Sequence, residues 1–480
     1  MRHEISYNSI AFNLYLWITF LFIVYTVFKS KTKNKISDSV ILLWFAFGAF
    51  FKSSTAWAWS TLMYDFRGGD KMLASFLMLY AVIYILSNSK KNLFDRKLLT
   101  YEKYLIIYLL LAIGLFFLHY ELGNITQNRK EALITLYWTA FIVFFFVRFL
   151  VSKEFISSFL KVVIYLGIAT SVIGTIQFFI YKYFFRIGSF NVAFKGYFRS
   201  SGLFLEPGSH GIFLTMAIYT VYFFTKNKTV KWFLISFFVF NITLIFSRGI
   251  WLGFIACTVV HYLYFYTNID RKRLIIRVGV IMLVILAPFL YNLGKKDFTK
   301  TSDAMGRVFE DTMSARMLYY SYTIKAIPEK LLIGFGDTLD NPHYFAGMVA
   351  INQGLKWSMG KEGGIHNLIL EEAYLRGVIC TIIFVMFFLA YFSRSLTKSQ
   401  DTKSYIYILP AYFVITYFVY NFTVSGFLIS YSGFITVFLA GVSAGIYHKN
   451  IDLSEFKIKN PEKMKRLRIT ETENSFAVNK

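Results

Sequence analysis

Charge is what this chain has least of. Only 16% of its 480 residues are Asp, Glu, Lys or Arg, against 56% hydrophobic and 20% aromatic. A water-soluble domain carries about 25% charged residues, so lipid must be the solvent for most of this one. Acids are the scarcer sign, 27 against 51 bases, for a formal net charge of +24. Nucleic-acid binding would need those bases on one face of a soluble fold. They lie instead in short runs between apolar stretches, which topology signalling and anionic headgroups explain better. Cysteine is nearly missing: Cys257 and Cys380 sit inside apolar stretches, outside any C-x-x-C or other metal-type spacing. They read as small buried hydrophobes. A small-residue cleavage site is lacking after the first apolar run, 10–28, which is followed by Lys29, Lys31, Lys33 and Lys35. That run is expected to stay as a signal anchor. Fixed-period repeats and low-complexity linkers are absent too, which favours a single membrane domain.

Long hydrophobic runs are what the chain does have. About thirteen are of spanning length, near 10–28, 39–59, 72–87, 104–119, 133–151, 155–181, 209–225, 232–246, 249–267, 275–292, 367–391, 404–424 and 427–447, a spanning helix needing about 20 residues. A re-entrant turn within 40–64 would make the count twelve or fourteen. The connections alternate in character. Those at 29–35, 90–103, 226–231, 271–277 and 394–403, with the tail from Lys449 to Arg468, are short or dense in Lys and Arg, and the positive-inside rule puts them in the cytoplasm. Those near 60–71, 119–132, 182–208, 247–248, 292–366 and 425–426 are nearly uncharged or mix acids with bases, and are expected outside. The fold expected is all-α: a polytopic domain over 1–447 with one large extracytoplasmic loop, 292–366, inserted in it, and a basic cytoplasmic tail, 448–480. The tail reads as an anchor to anionic lipid.

Chemistry-bearing groups concentrate in that long connection and beside it. It carries Arg307, Arg316, Asp337, Asp340, His343 and His366. Within it, Met313, Met317, Tyr320, Ile324 and Ile327 recur at helical spacing and Pro328 follows. They predict an amphipathic helix over 310–327 along the membrane face, with Arg316 one turn from Tyr320. Gly334-Phe335-Gly336 permits a sharp turn back. At its close, Gly363-Gly364-Ile365-His366-Asn367 opens the next span, which has Glu371, Glu372 and Arg376 in its first turns. Glu372 and Arg376 are spaced to pair at i,i+4. The positive end of that helix disfavours imidazolium at His366, which leaves a neutral ring suited to general-base work; a structural cap is the plain alternative.

Two further pieces lie earlier. Residues 198–211 run from Phe198-Arg199 through Glu206-Pro207 to His210-Gly211, and their glycines and proline predict a tight non-helical path. A surface ion pair of Arg199 with Glu206 would be worth about 0–1 kcal/mol. Phe246-Ser247-Arg248-Gly249 joins two spans with almost no loop. Arg248 there can snorkel to the interface, but it breaks the low-charge habit of the outer connections, which points to a negative partner.

In this order, Arg199…Glu206-Pro207, Ser247-Arg248-Gly249, Arg316 with Gly334-Phe335-Gly336, and His366-Asn367 together resemble the Wzy-type O-antigen and capsular polysaccharide polymerases and the related O-antigen ligases. The resemblance implies a fold like the GT-C type glycosyltransferases that use lipid-linked sugars. It implies transfer of a glycan from an undecaprenyl-diphosphate-linked oligosaccharide to an acceptor hydroxyl, at the outer face of the bacterial inner membrane, without a cofactor. Carried over, Arg248 and Arg316 hold the diphosphate, His366 activates the acceptor, and Asn367 positions His366. Arg199, Glu206, His210 and Tyr320 complete the expected substrate-binding set. Expected partners are the lipid-linked donor and acceptor, membrane lipid and a chain-length regulator protein. Polymerase is the first expectation, ligase or protein O-oligosaccharyltransferase the second, and a non-enzymatic flippase the third. A flippase should show mid-span charges and pseudo-repeated halves, which are missing. Asp65 and Asp70 form no Asp-x-Asp, which argues against a metal-dependent oligosaccharyltransferase. In place of the acid expected before glycine in the re-entering motif stands Arg376-Gly377.

Overall fold

The computed structural model describes residues 38, 41–42, 45, 82–86, 97–123, 127–180, 199–204, 207–266, 320–321, 323–336, 367–421 and 431–458. Backbone amides in lipid have no water to bond, so apolar runs close their hydrogen bonds internally as helices. Nine such helices occur among the described residues: α1 (Thr100–Glu121), α2 (Gln127–Leu150), α3 (Lys153–Ile180), α4 (Pro207–Phe224), α5 (Lys228–Leu244), α6 (Arg248–Tyr266), α7 (Leu368–Thr402), α8 (Tyr405–Asn421) and α9 (Tyr431–Lys449). No strand occurs among the described residues, only one isolated bridge, Ser404 with Lys457. Thr100–Glu121, Lys153–Ile176, Arg248–Phe265 and Leu368–Thr402 are long and apolar enough to cross a membrane. The chain is an all-α polytopic membrane protein.

Each of the nine coincides with an expected span. The other four, 10–28, 39–59, 72–87 and 275–292, lie outside the described residues, apart from helical residues at Asp38, Ile41, Leu42, Phe45 and 82–86. One boundary differs: α7 runs to Thr402, well past residue 391. Its extension packs a face inward, with Leu396 and Ser399 fully buried, and Tyr264 Oη donates to Ser399 Oγ at 2.9 Å. Hydropathy registers only the lipid-immersed part of such a helix.

The helix ends gather on two sides. On one, the starts of α1, α3 and α8 meet the ends of α2, α4, α6, α7 and α9. Glu102 at the start of α1 is fully buried: it forms an ion pair with Arg148, Nε to Oε1 at 3.1 Å, and its Oε2 lies 2.8 Å from His448 Nε2 and accepts from the Leu99 amide at 2.7 Å. Lys449 Nζ donates to the carbonyls of Phe149 and Val151, and Lys153 pairs with Glu455 at 2.8 Å. The short basic connections within the described residues all fall here. On the other side lie the ends of α1, α5 and α8 and the starts of α4, α6 and α7. Ser200 N donates to Leu244 O at 3.1 Å, and Trp251 Nε1 to Ile242 O at 3.1 Å.

Between these sides the packing is close. A Cβ on Gly441 would stand 2.8 Å from Phe144 O, and one on Gly445 would stand 2.7 Å from Arg148 O. This small-x-x-x-small face lets α9 lie almost backbone to backbone on α2. Phe45, Phe159, Phe213, Phe434 and Phe438 form an aromatic centre, with ring centroids 4.9–6.4 Å from that of Phe45. Facing out, α1 shows Ile107, Leu110, Leu111, Phe117 and Leu118, and α7 shows Ile379, Ile382, Met386 and Leu389, all exposed. Stripes of this kind suit acyl chains.

Candidate active site

The site begins at Asn367, the N-cap of α7. Its backbone is extended (φ −147°, ψ 113°), and its Oδ1 accepts from Ile369 N and Leu370 N, both at 3.1 Å. The helix it opens is soon broken. Gly377 takes φ 79° and ψ 166°, so residues 368–376 form a short half-helix ahead of the long remainder. The sequence resembles an unbroken apolar span here, and the interruption is new information from the structure.

The half-helix is held from both flanks. Toward α1 and α2, Arg376 Nη1 lies 2.5 Å from Glu372 Oε1. Tyr108 Oη donates to Glu372 Oε2 at 3.1 Å, and Arg376 Nε donates to Tyr137 Oη at 2.8 Å. Tyr108 and Glu372 are buried and Arg376 is only 8% exposed. The i,i+4 pair foreseen in the sequence is therefore half of a four-member network that joins three helices, with every charge matched.

On the other flank a piece of the long connection docks into the break. Phe335 N donates to Tyr374 O at 2.7 Å, Gly336 N to Leu375 O at 3.0 Å, and Val378 N to Leu331 O at 2.8 Å. These are the groups that a helix broken at Gly377 leaves without intrahelical partners. The Phe335 ring stacks on Tyr374 at 4.6 Å and 10°, and His119 Nε2, at the end of α1, lies 2.8 Å from Ile333 O. The turn foreseen at Gly334-Phe335-Gly336 is real: both glycines have positive φ, 71° and 69°. Pro328 does not simply end the preceding helix. Residues 323–326 are helical and Ile327–Lys330 continue as a 3-10 turn containing it. A proline at the start of such a turn gives up no needed amide.

Tyr320 is 1% exposed and shares a small buried cluster with Tyr374, against Ala326, Ile327, Phe335, Leu370 and Leu375. Arg199 is partly buried at the start of a tight path, 199–204, where Leu203 N donates to Thr170 Oγ1 at 3.0 Å. His210, in the first turn of α4, is fully buried and stacks on Phe204 at 5.8 Å and 20°. Ser200 Oγ, His210 and Asn241 Oδ1 converge on the α3 face at Gly174. Arg248 is the first residue of α6 and is exposed, two residues from Ile250, whose side chain fills the space against Gly211. His366, Arg316 and Glu206 lie outside the described residues, as do Arg307, Asp337, Asp340 and His343. Arg199, His210 and Arg248 thus fall in one cluster of helix ends. Asn367 and Tyr320 fall in another on the same side of the molecule, joined to it through α8, which packs on α4, α6 and α7. The sequence does not single out His119, Tyr108 or Tyr137, and it marks Gly377 only as the glycine of the re-entering motif, not as a break in the helix.

A family model described as O-antigen ligase matches residues 232–385. The chain is similar to that family over this stretch. The match covers α5, α6, the long connection and α7 through the break. It supports the ligase/polymerase superfamily and fits a polymerase and a ligase equally. No curated protein matches the chain.

Proposed function

We propose that the protein is a membrane glycosyltransferase that joins undecaprenyl-diphosphate-linked oligosaccharide repeat units into O-antigen or capsular polysaccharide, at the outer face of the bacterial inner membrane. The observation that carries this reading is the family match over 232–385, because Arg248, Arg316 and His366-Asn367 all fall inside it. In the proposed step the acceptor hydroxyl oxygen attacks the anomeric carbon of the donor. The carbon–oxygen bond to phosphate breaks, the polyprenyl diphosphate leaves with the electron pair, and the hydroxyl proton passes to His366. Such a base supplies typically 10²–10⁴-fold. Arg248 and Arg316 grip the departing diphosphate through paired hydrogen bonds and stabilise its charge as it grows. Their two positive charges serve the diphosphate directly, in the place a metal ion would otherwise take. Arg199, Glu206, His210 and Tyr320 are assigned to substrate binding. Asn367 acts on His366 through the main chain, since its side-chain oxygen already caps α7.

A second reading has its own support: the matching family is described as a ligase. Purified protein given only lipid-linked repeat units separates the two. A polymerase makes products of two units and longer; a ligase makes none until a different acceptor is added. Arg248→Ala, Arg316→Ala and His366→Ala are each expected to lower turnover by roughly 10²-fold or more while the protein still inserts. Retained glycan transfer in all three would remove these groups from the chemistry, whereas a flippase would form no longer glycan at all and would survive the three changes with only modest loss of transport.

A further inference from the structure

The docked segment 331–336 makes more contacts than a turn requires. Its three backbone bonds to α7 run between segments some forty residues apart, and each of its close approaches excludes a side chain. A Cβ on Gly377 would stand 2.3 Å from Leu332 O, and one on Gly334 would stand 2.5 Å from Leu375 C. One on Gly336 would stand 2.7 Å from the His119 ring. All three glycines have positive φ, which other residues rarely adopt. Lys330 Nζ sits 4.9 Å above the Phe335 ring, on which Tyr374 also stacks.

We propose that residues 331–336 are a fixed tether that registers the long connection on the half-helix 368–376, and that His119, Phe335 and Gly377 are positioning residues for the transfer reaction. This rests on the glycosyltransferase reading. The two candidate catalytic groups in this region lie just beyond the tethered pieces. Arg316 is four residues ahead of Tyr320 in the sequence, and Tyr320 packs on Tyr374. His366 directly precedes Asn367, the cap of the half-helix. Fixing Tyr320 and Asn367 on the same two turns of α7 limits how far Arg316 and His366 can drift apart. Misplacement by about 1 Å can cost a hundredfold in rate. A connection that lifted away in each catalytic cycle would have to uncover the amide of Val378 and the carbonyls of Tyr374 and Leu375, inside a helix that has no other use for them.

The direct test is Phe335→Cys with Tyr374→Cys, in protein whose native thiols, Cys257 and Cys380, are buried. Mild oxidation should link the pair, and the linked enzyme should turn over at least as fast as the same double variant in its reduced form. Failure to link overturns the register. Loss of turnover on linking, restored by reductant, shows a moving lid and overturns the tether. A second pair of variants separates positioning from folding. His119→Leu should lower kcat on the order of tenfold to a hundredfold, with donor KM, yield and monodispersity unchanged, and His119→Gln, which can still donate to Ile333 O, should recover most of it. Equal turnover for His119→Leu and the parent protein overturns the assignment, as does equal loss in both variants. Linking is read without any glycan, so its failure is distinct from failure of the glycosyltransferase reading, which Arg248→Ala tests.

Discussion

Asn367 turns its side-chain oxygen onto two amides of its own helix, and this decides what replacements there do. Asp or Ser can keep the cap, whereas Asn367→Ala is expected to destabilise by about 0.5–2 kcal/mol. If the cap sets the direction of the chain at His366, glycan transfer measured on purified variants follows the same order: Asp and Ser near the parent, Ala well below. Glu372 is a different kind of residue, because it balances a buried guanidinium. Glu372→Ala leaves that charge unmatched and is expected to cost about 3–5 kcal/mol, read as a lower midpoint of thermal unfolding in detergent. Arg376→Lys should fall between the two, since an ammonium on a flexible stem cannot hold Glu372 and Tyr137 in one planar fork. The pairing of these two residues is legible from their spacing alone. Tyr108 and Tyr137 are not, because they come from helices more than two hundred residues away in sequence.

The elements follow from hydropathy with few surprises, since lipid imposes helical closure on any long apolar run. The break in α7 escapes that logic. An isolated glycine in an apolar stretch costs only about 1 kcal/mol in a helix and is read through, so the sequence gives no reason to stop at Gly377. What makes the break possible is a partner elsewhere in the chain able to take the released backbone groups. The face of α9 with Gly441 and Gly445 is hidden for a related reason: two glycines four apart are common, and only contact with Phe144 O and Arg148 O gives them meaning. Gly441→Val should overpack this seam and destabilise by about 1–3 kcal/mol. The measurement is the fraction remaining monodisperse after graded heating, and an unchanged profile would show that α2 and α9 can part without loss.

At the scale of the whole molecule, alternation of charge along the sequence corresponds to alternation of helix ends in space. Among the described residues, the basic connections lie on the side of the molecule that holds Glu102, Arg148 and His448, while Arg199, Arg248, Tyr320 and Asn367 lie at the opposite helix ends. On the proposed topology, cysteines introduced one at a time on exposed residues at Lys226 and Gly123 should be labelled by a membrane-impermeant reagent from opposite sides. Labelling of both from one side would reverse or break the assignment. Within the candidate site, Arg248 and Asn367 stand out in the sequence from a hairpin and a helix mouth, which are local patterns. The tether does not, because it depends on a backbone pairing between distant segments, and backbone groups carry no mark in a sequence.

That pairing also bears on how the protein is made. In hydrocarbon an unmatched backbone group costs several kcal/mol, and three groups around Gly377 find partners in residues 331–336. On the proposed topology the ribosome delivers that segment to the outside before α7 emerges, so a mate is already waiting when the broken helix enters the bilayer. Biogenesis and architecture then share one schedule: the connection is secreted first, and the helix is admitted against it.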